Sequence, residues 1–183
     1  FATAGHDTIK YVLEHAECPL LFIGKLDDNT AVKSVEIPNL ITVGFPYDSI
    51  EASLSWDEFI NIEPLSTSPV PDMNDIMTII YTSGSTGQPK GVVHTYNTIC
   101  WAARNSLTAL SVSENDRIMS YLPLAHITER VLVELASFYS GLSLYFVESL
   151  ETFTRDVKAC QPTLFISVPR LWTKFQMGVL AKL

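Results

Sequence analysis

The chain has no stripe of basic residues. Its 12 lysines and arginines are scattered singly and outnumbered by 20 aspartates and glutamates, giving a formal net charge of -8. A surface that grips nucleic acid carries clustered cations, so nucleic acid is not an expected partner. Any phosphate bound here must be held locally, by backbone N–H groups and one or two cations. Cysteine is also scarce: Cys18, Cys100 and Cys160 are odd in number, far apart and without CxxC spacing. That excludes a disulfide framework and a cysteine zinc site. All three are expected to be small buried hydrophobes in a reducing compartment. No uninterrupted apolar run reaches the ~20 residues of a membrane-spanning helix. The nearest, 131–147 "VLVELASFYSGLSLYFV", is broken by Glu134 and by Ser140-Gly141, and reads as helix, turn and strand. The opening "FATAGHDTIKYVLEHAE" lacks an initiator Met, a basic n-region and an apolar h-region, so the chain is expected to be an excerpt of a longer polypeptide.

What is present is a globular composition, 47% hydrophobic and 17% charged over 183 residues. Ile9, Val12, Leu13 and Ala16 share one helical face, with Asp7 as the expected N-cap. "PLLFIG" and "LITVG" read as short buried strands separated by a weak helix around "TAVKSVEI". Ser55 and Glu58 form a capping-box pattern at the start of "WDEFI". Residues 63–75, "EPLSTSPVPDMND", hold three prolines and no periodicity. They divide an N-terminal α/β segment, 1–62, from a segment spanning 76–183. The second segment reads as strand 76–82, strand 91–95, helix 96–110, strand "RIMSYLP", helix 127–140, strand "LSLYFV", helix "LETFTRDVKAC", strand "TLFISV" and a helix from Arg170. Ile127, Val131, Glu134, Leu135 and Phe138 recur at helical spacing in the second of these helices. The alternation predicts an α/β fold with a mainly parallel sheet flanked by helices.

The densest signal is Tyr81 to Gly91, "YTSGSTGQPKG". A flexible linker is one reading, but the stretch joins two apolar β-type runs. The Walker pattern requires Gly-Lys-Ser/Thr leading into a helix; here Lys90 follows Pro89 and precedes Gly91. The dinucleotide pattern fails too, because Gly84 and Gly87 supply only G-x-x-G. The remaining reading is a different phosphate cradle. Gly84, Gly87 and Gly91 let the backbone turn its N–H groups onto an anion. Thr82, Ser83, Ser85 and Thr86 add hydroxyls, and Lys90 adds a charge that reaches oligophosphate oxygens.

These residues resemble the phosphate-binding loop of the adenylate-forming superfamily, which includes acyl-CoA synthetases, luciferases and peptide-synthetase adenylation domains. "YLPLAHITER" (121–130) and "ISVPRLWTKF" (166–175) are similar to the long-chain acyl-CoA synthetase branch. The resemblance implies part of the large N-terminal domain, three-layered, of a long-chain fatty acid–CoA ligase. Such an enzyme activates a fatty acid with Mg-ATP as acyl-AMP, releases pyrophosphate and transfers the acyl group to coenzyme A. It implies that Thr82, Ser83, Gly84, Ser85, Thr86, Gly87 and Lys90 hold the phosphates, that Ser85 or Thr86 reaches Mg2+, and that His126 lines the space between carboxylate and ATP. It also implies a cytoplasmic parent, with peripheral membrane contact left open. The family's later motifs for adenine, ribose and the C-terminal lysine are not in this stretch, so the piece alone is expected to bind nucleotide weakly and not complete adenylation.

Alternatives stay open at several positions. His126 also reads as a capping or core histidine. Glu129 and Arg130 also read as an ordinary surface pair. Trp172 and Phe175 read as core, and the helix face from Ile127 to Phe138 as core packing or the border of an acyl tunnel. A fatty acyl-AMP ligase or an amino-acid adenylation domain would share the loop. A non-catalytic nucleotide-binding scaffold is the reading from another class, and the intact loop disfavours it.

Overall fold

The computed structural model describes residues 4–26, 28–47, 50–82, 87–149 and 151–180. It divides into two compact units. The first holds Phe1–Ile99 with Pro123–His126, and the second holds Cys100–Leu122 with Ile127–Leu183.

In the first unit α1 (His6–His15) buries Leu13. Its N-cap is Gly5, and Asp7 makes no capping bond. Asp7 lies inside the first turn instead, where its carboxylate meets the positive end of the helix dipole. β1 (Leu20–Ile23) runs parallel to β2 (Ile41–Gly44), with Leu20 opposite Ile41 and Ile23 opposite Gly44. The short helix α2 (Thr30–Lys33) lies on the crossover between them. A two-residue strand absent from the sequence reading, β3 (Leu54–Ser55), extends the sheet in parallel beside β2. Ser55 then caps α3 (Trp56–Ile60): its hydroxyl accepts from the Glu58 N–H at 3.2 Å, and the Glu58 carboxylate accepts from the Ser55 N–H at 2.8 Å. Phe45 stacks on Trp56 with ring centroids 4.7 Å apart, and Phe22 meets Phe59 edge-on. Residues 63–71 carry no helix or strand. β4 (Ile76–Thr82) and β5 (Lys90–Thr95) then form an antiparallel hairpin.

Thr95 ends β5 and starts α4 (Tyr96–Leu110), its hydroxyl accepting from the Thr98 N–H. The division between the units falls within α4. In the second unit β6 (Arg117–Ser120) pairs in parallel with β7 (Ser143–Phe146). Alternation along β6 sends successive side chains to opposite faces. Ile118 enters a core with Leu107, Val133, Ala136 and Leu142, and Met119 enters a second with Phe153 and Cys160. α7 (Phe153–Cys160) and α8 (Pro169–Leu180) follow as expected.

Three further expectations need correction. The helix over 127–140 is α5 (Ile127–Glu129), a π turn (Arg130–Glu134) and α6 (Leu135–Ser140). The buried positions are Glu129, Val131, Val133 and Ala136, so the face from Glu129 through Val133 to Ala136 turns inward, while Ile127 is partly exposed and Phe138 is 79% exposed. Second, "TLFISV" is not a strand. The N–H groups of Thr163 and Leu164 both converge on the Arg117 carbonyl, and the Arg117 guanidinium donates to the carbonyls of Cys160 and Gln161. One residue thus absorbs the bonds that a ladder would distribute. Third, only Cys160 of the three free cysteines is fully buried; Cys18 and Cys100 are half-buried. Among the described residues no helix is long and apolar enough to cross a membrane.

Candidate functional site

The hairpin brings the two ends of the glycine-rich stretch together. Thr82, the last residue of β4, lies directly opposite Lys90, the first of β5. Side chains directly opposite in an antiparallel pair share a face, so hydroxyl and ammonium stand on one side of the hairpin mouth. Both residues are exposed. The segment 76–95 contains no carboxylate side chain, and Lys90 forms no ion pair among the described residues. Its charge is therefore available to an anion. Ser83, Gly84, Ser85 and Thr86 lie outside the described residues.

Two glycines are required by geometry. Gly87 has φ of +89°, a left-handed conformation that strains any residue with a Cβ, and nothing lies within 4 Å of where a Cβ would stand. Gly91 is needed for close approach. A Cβ there would lie 2.8 Å from Ile79 Cγ2 and 3.2 Å from Tyr81 Cζ. Tyr81 and Gly91 are opposite one another in the register and therefore occupy the face away from Thr82 and Lys90. The left-handed Gly87, the exposed Thr82 hydroxyl and the Lys90 ammonium, which has no ion pair among the described residues, make a donor set suited to a polyphosphate.

Tyr81 has a partner that the sequence did not signal. Its hydroxyl lies 2.7 Å from Nδ1 of His15, at the end of α1, and Tyr11 stacks on the same imidazole at 5.3 Å. Burial raises the Tyr81 phenol pKa above its ordinary value, with smaller contributions from Tyr11 and Cys18.

His126 is half-buried in a turn that follows β6, and its N–H donates to the Pro123 carbonyl at 2.8 Å. Residues Pro123–His126 belong to the same compact unit as the hairpin. Glu129, three positions on, is 1% exposed and is the one buried charged residue among those described. The surface-pair reading therefore fails for it. Its carboxyl accepts from the Ser120 hydroxyl at 2.6 Å and from the Leu122 N–H. Its other oxygen is buried without a partner among the described residues. Burial holds the pKa above the ordinary glutamate value, more than these bonds lower it. Arg130 pairs instead with Glu134, at 3.2 Å. The available signal was that Glu129, Val133 and Ala136 share one helical face at i, i+4 and i+7. Trp172 and Phe175 join Phe165 and Phe153 in an aromatic cluster, partly exposed, in keeping with a packing role. No group of three or more metal-ligating His, Cys, Asp or Glu residues occurs among the described residues.

A family profile described as "AMP-binding enzyme" matches residues 1–182. Fatty acyl-CoA synthetase B of Dictyostelium discoideum is 32% identical over 201 residues, covering 98% of this chain and 29% of that protein. Long chain acyl-CoA synthetase 3 of Arabidopsis thaliana is 30% identical over 203 residues, covering 100% of this chain and 30% of that protein. The chain thus spans less than a third of the length of these relatives. Among solved structures, the anthranilate CoA ligase AuaEII in complex with anthranoyl-AMP matches with a TM-score of 0.74 at 21% identity, over 89% of this chain and 33% of that one. At that identity the likeness establishes the fold.

Proposed function

Because the chain belongs to the AMP-binding enzyme family, we propose that it is part of the large domain of an ATP-dependent long-chain fatty acid–CoA ligase. A fatty carboxylate oxygen attacks the α-phosphorus of ATP. The bond to the β-phosphate oxygen breaks, pyrophosphate leaves, and acyl-AMP forms. The coenzyme A thiol then gives up its proton, its sulfur attacks the acyl carbon, and AMP leaves with the bonding pair.

The observation that carries this reading is the pairing of Thr82 with Lys90 across the hairpin mouth. Charge grows on the leaving pyrophosphate, and donors already aimed at it lower the barrier. In the proposal that task falls to Thr82, the loop 83–86, Gly87 and Lys90. Lys90 supplies a mobile point charge and Gly87 the left-handed turn that exposes backbone N–H groups. Mg2+, when bound, would neutralise phosphate charge, and the Ser85 or Thr86 hydroxyl has the hard oxygen that suits it. His126 is proposed to line the approach of the carboxylate. The segment 76–183 carries these elements.

The test is ATP–pyrophosphate exchange with carboxylic acids of increasing length, on the whole polypeptide that carries this chain and on its Lys90→Ala variant. Exchange that rises with long fatty acids and falls in the variant is expected, with acyl transfer dependent on coenzyme A. Transfer that does not need coenzyme A would favour an acyl-AMP ligase. No exchange with any acid in a folded protein would leave a non-catalytic nucleotide-binding module.

A further inference from the structure

Three features converge on the back face of the phosphate hairpin. Tyr81 immediately precedes Thr82, and Gly91 immediately follows Lys90. The Tyr81 ring packs where a Gly91 side chain would stand, so this one ring touches both strands just behind the Thr82–Lys90 pair. The Tyr81 hydroxyl, 2.7 Å from His15 Nδ1, fastens that ring to the last turn of α1. His15 is itself held from the other side by Tyr11, one helical turn earlier and stacked on it. The imidazole and phenol are steeply inclined, at 84°, with centroids 5.8 Å apart. Such an edge-on approach suits a directional hydrogen bond rather than loose apolar contact.

We infer that His15 is a positioning residue for the phosphate site, acting through Tyr81 to hold Thr82 and Lys90 in register at the hairpin mouth. This rests on the polyphosphate reading of the hairpin. His15 touches no substrate. It fixes the ring that buttresses both strands, so that the donors on the opposite face meet an anion without reordering. In the Nε2–H tautomer Nδ1 accepts from the phenol hydroxyl.

The experiment uses the whole polypeptide and four variants: His15→Ala, Tyr81→Phe, the double variant and His15→Asn, whose side-chain amide stands close to the place of Nδ1. KM for ATP and kcat of pyrophosphate exchange are measured, with tripolyphosphate binding by calorimetry as a readout independent of turnover. His15→Ala and Tyr81→Phe are each expected to raise KM for ATP and weaken tripolyphosphate binding about three- to tenfold, the range one neutral hydrogen bond supports, with kcat within about twofold. The double variant is expected to be no worse than either single one, and His15→Asn to restore part of the loss. Tyr81→Phe removes a single oxygen, so it keeps the test open if His15→Ala does not fold. Unchanged KM and tripolyphosphate affinity in Tyr81→Phe would overturn the inference, as would single effects that multiply in the double variant. If the unaltered protein binds tripolyphosphate but shows no acid-dependent exchange, the ligase reading fails and the calorimetry still judges the brace. If it binds no tripolyphosphate, both fall.

Discussion

Replacing Glu129 by Gln should flatten one component of the protein's pH–stability profile. The carboxyl is almost completely buried, accepts from Ser120 and Leu122, and leaves one oxygen unpartnered among the described residues. Desolvation penalises the charged form. The folded-state pKa therefore lies above the ordinary 4.5. Between those two values the native state binds more protons than the unfolded state, so stability falls as pH rises. The contribution of Glu129 is fully present below about 4.5 and is lost as pH passes through the raised native value. Gln cannot titrate, yet its amide oxygen still accepts from both donors.

Several carboxylates work in the opposite sense. Asp116 and Asp156 have pKa values lowered chiefly by hydroxyl bonds from Thr163 and Thr152, so their stabilisation is lost as pH falls. The informative quantity is thus the difference between wild type and Glu129→Gln, in which those terms cancel. Glu129→Ala supplies the magnitude. It strands the Ser120 hydroxyl and Leu122 N–H, costing about 2–4 kcal/mol where wild-type Glu129 is neutral. The deficit should shrink at higher pH, where wild type carries a buried charge. Urea unfolding of the whole polypeptide at half-unit intervals from pH 4 to 8 reads all three proteins. Parallel curves for wild type and Glu129→Gln would refute the argument, because a solvated or fully compensated carboxylate would leave no difference to measure.

Four further outcomes follow from single contacts. Under the proposed phosphate role, Lys90→Ala should lower pyrophosphate exchange about 10²-fold with little change in thermal stability, because it removes an exposed charge that acts on phosphate and on the developing pyrophosphate alike. Gly91→Ala should cost about 1–3 kcal/mol in urea unfolding, because its Cβ would stand 2.8 Å from Ile79 Cγ2. Ser55→Ala should cost about 1 kcal/mol by removing the reciprocal cap of α3, seen as a lower urea midpoint at unchanged slope. Ala136→Leu should destabilise by about 1–3 kcal/mol, since that position is 0% exposed at the centre of the Ile118 cluster, and calorimetry would show a lower Tm.

Which features could be read beforehand depended on how local their causes were. The capping box at Ser55 and Glu58 is a three-residue bargain between side chains and adjacent backbone, and it formed as read. The hairpin could be read because apolar runs flank a stretch of turn-forming residues. The break inside 131–147 was also local: α6 ends at Ser140 with Gly141 left-handed, and β7 follows. The misreadings came from interactions that skip along the chain. "TLFISV" has the composition of a strand, but Arg117, over forty residues earlier, draws its backbone and the preceding helix end onto one residue. The face from Ile127 to Phe138 follows a 3.6-residue period, but Glu129, Val133 and Ala136 share another face at the same period, and tertiary packing buries that one.

The same distinction applies to the proposed site. Thr82, Gly87 and Lys90 could be proposed together because an anion cradle is made from one short segment, and the hairpin register places Thr82 opposite Lys90. The Tyr81 brace was not recognisable, because its partner lies 66 residues away and neither residue type is unusual alone. Thr82 and Lys90 keep their places across the hairpin mouth only if the two strand ends are restrained. The hairpin ladder supplies that restraint along the strands. The ring of Tyr81, fixed by His15 and seated over Gly91, supplies it across them.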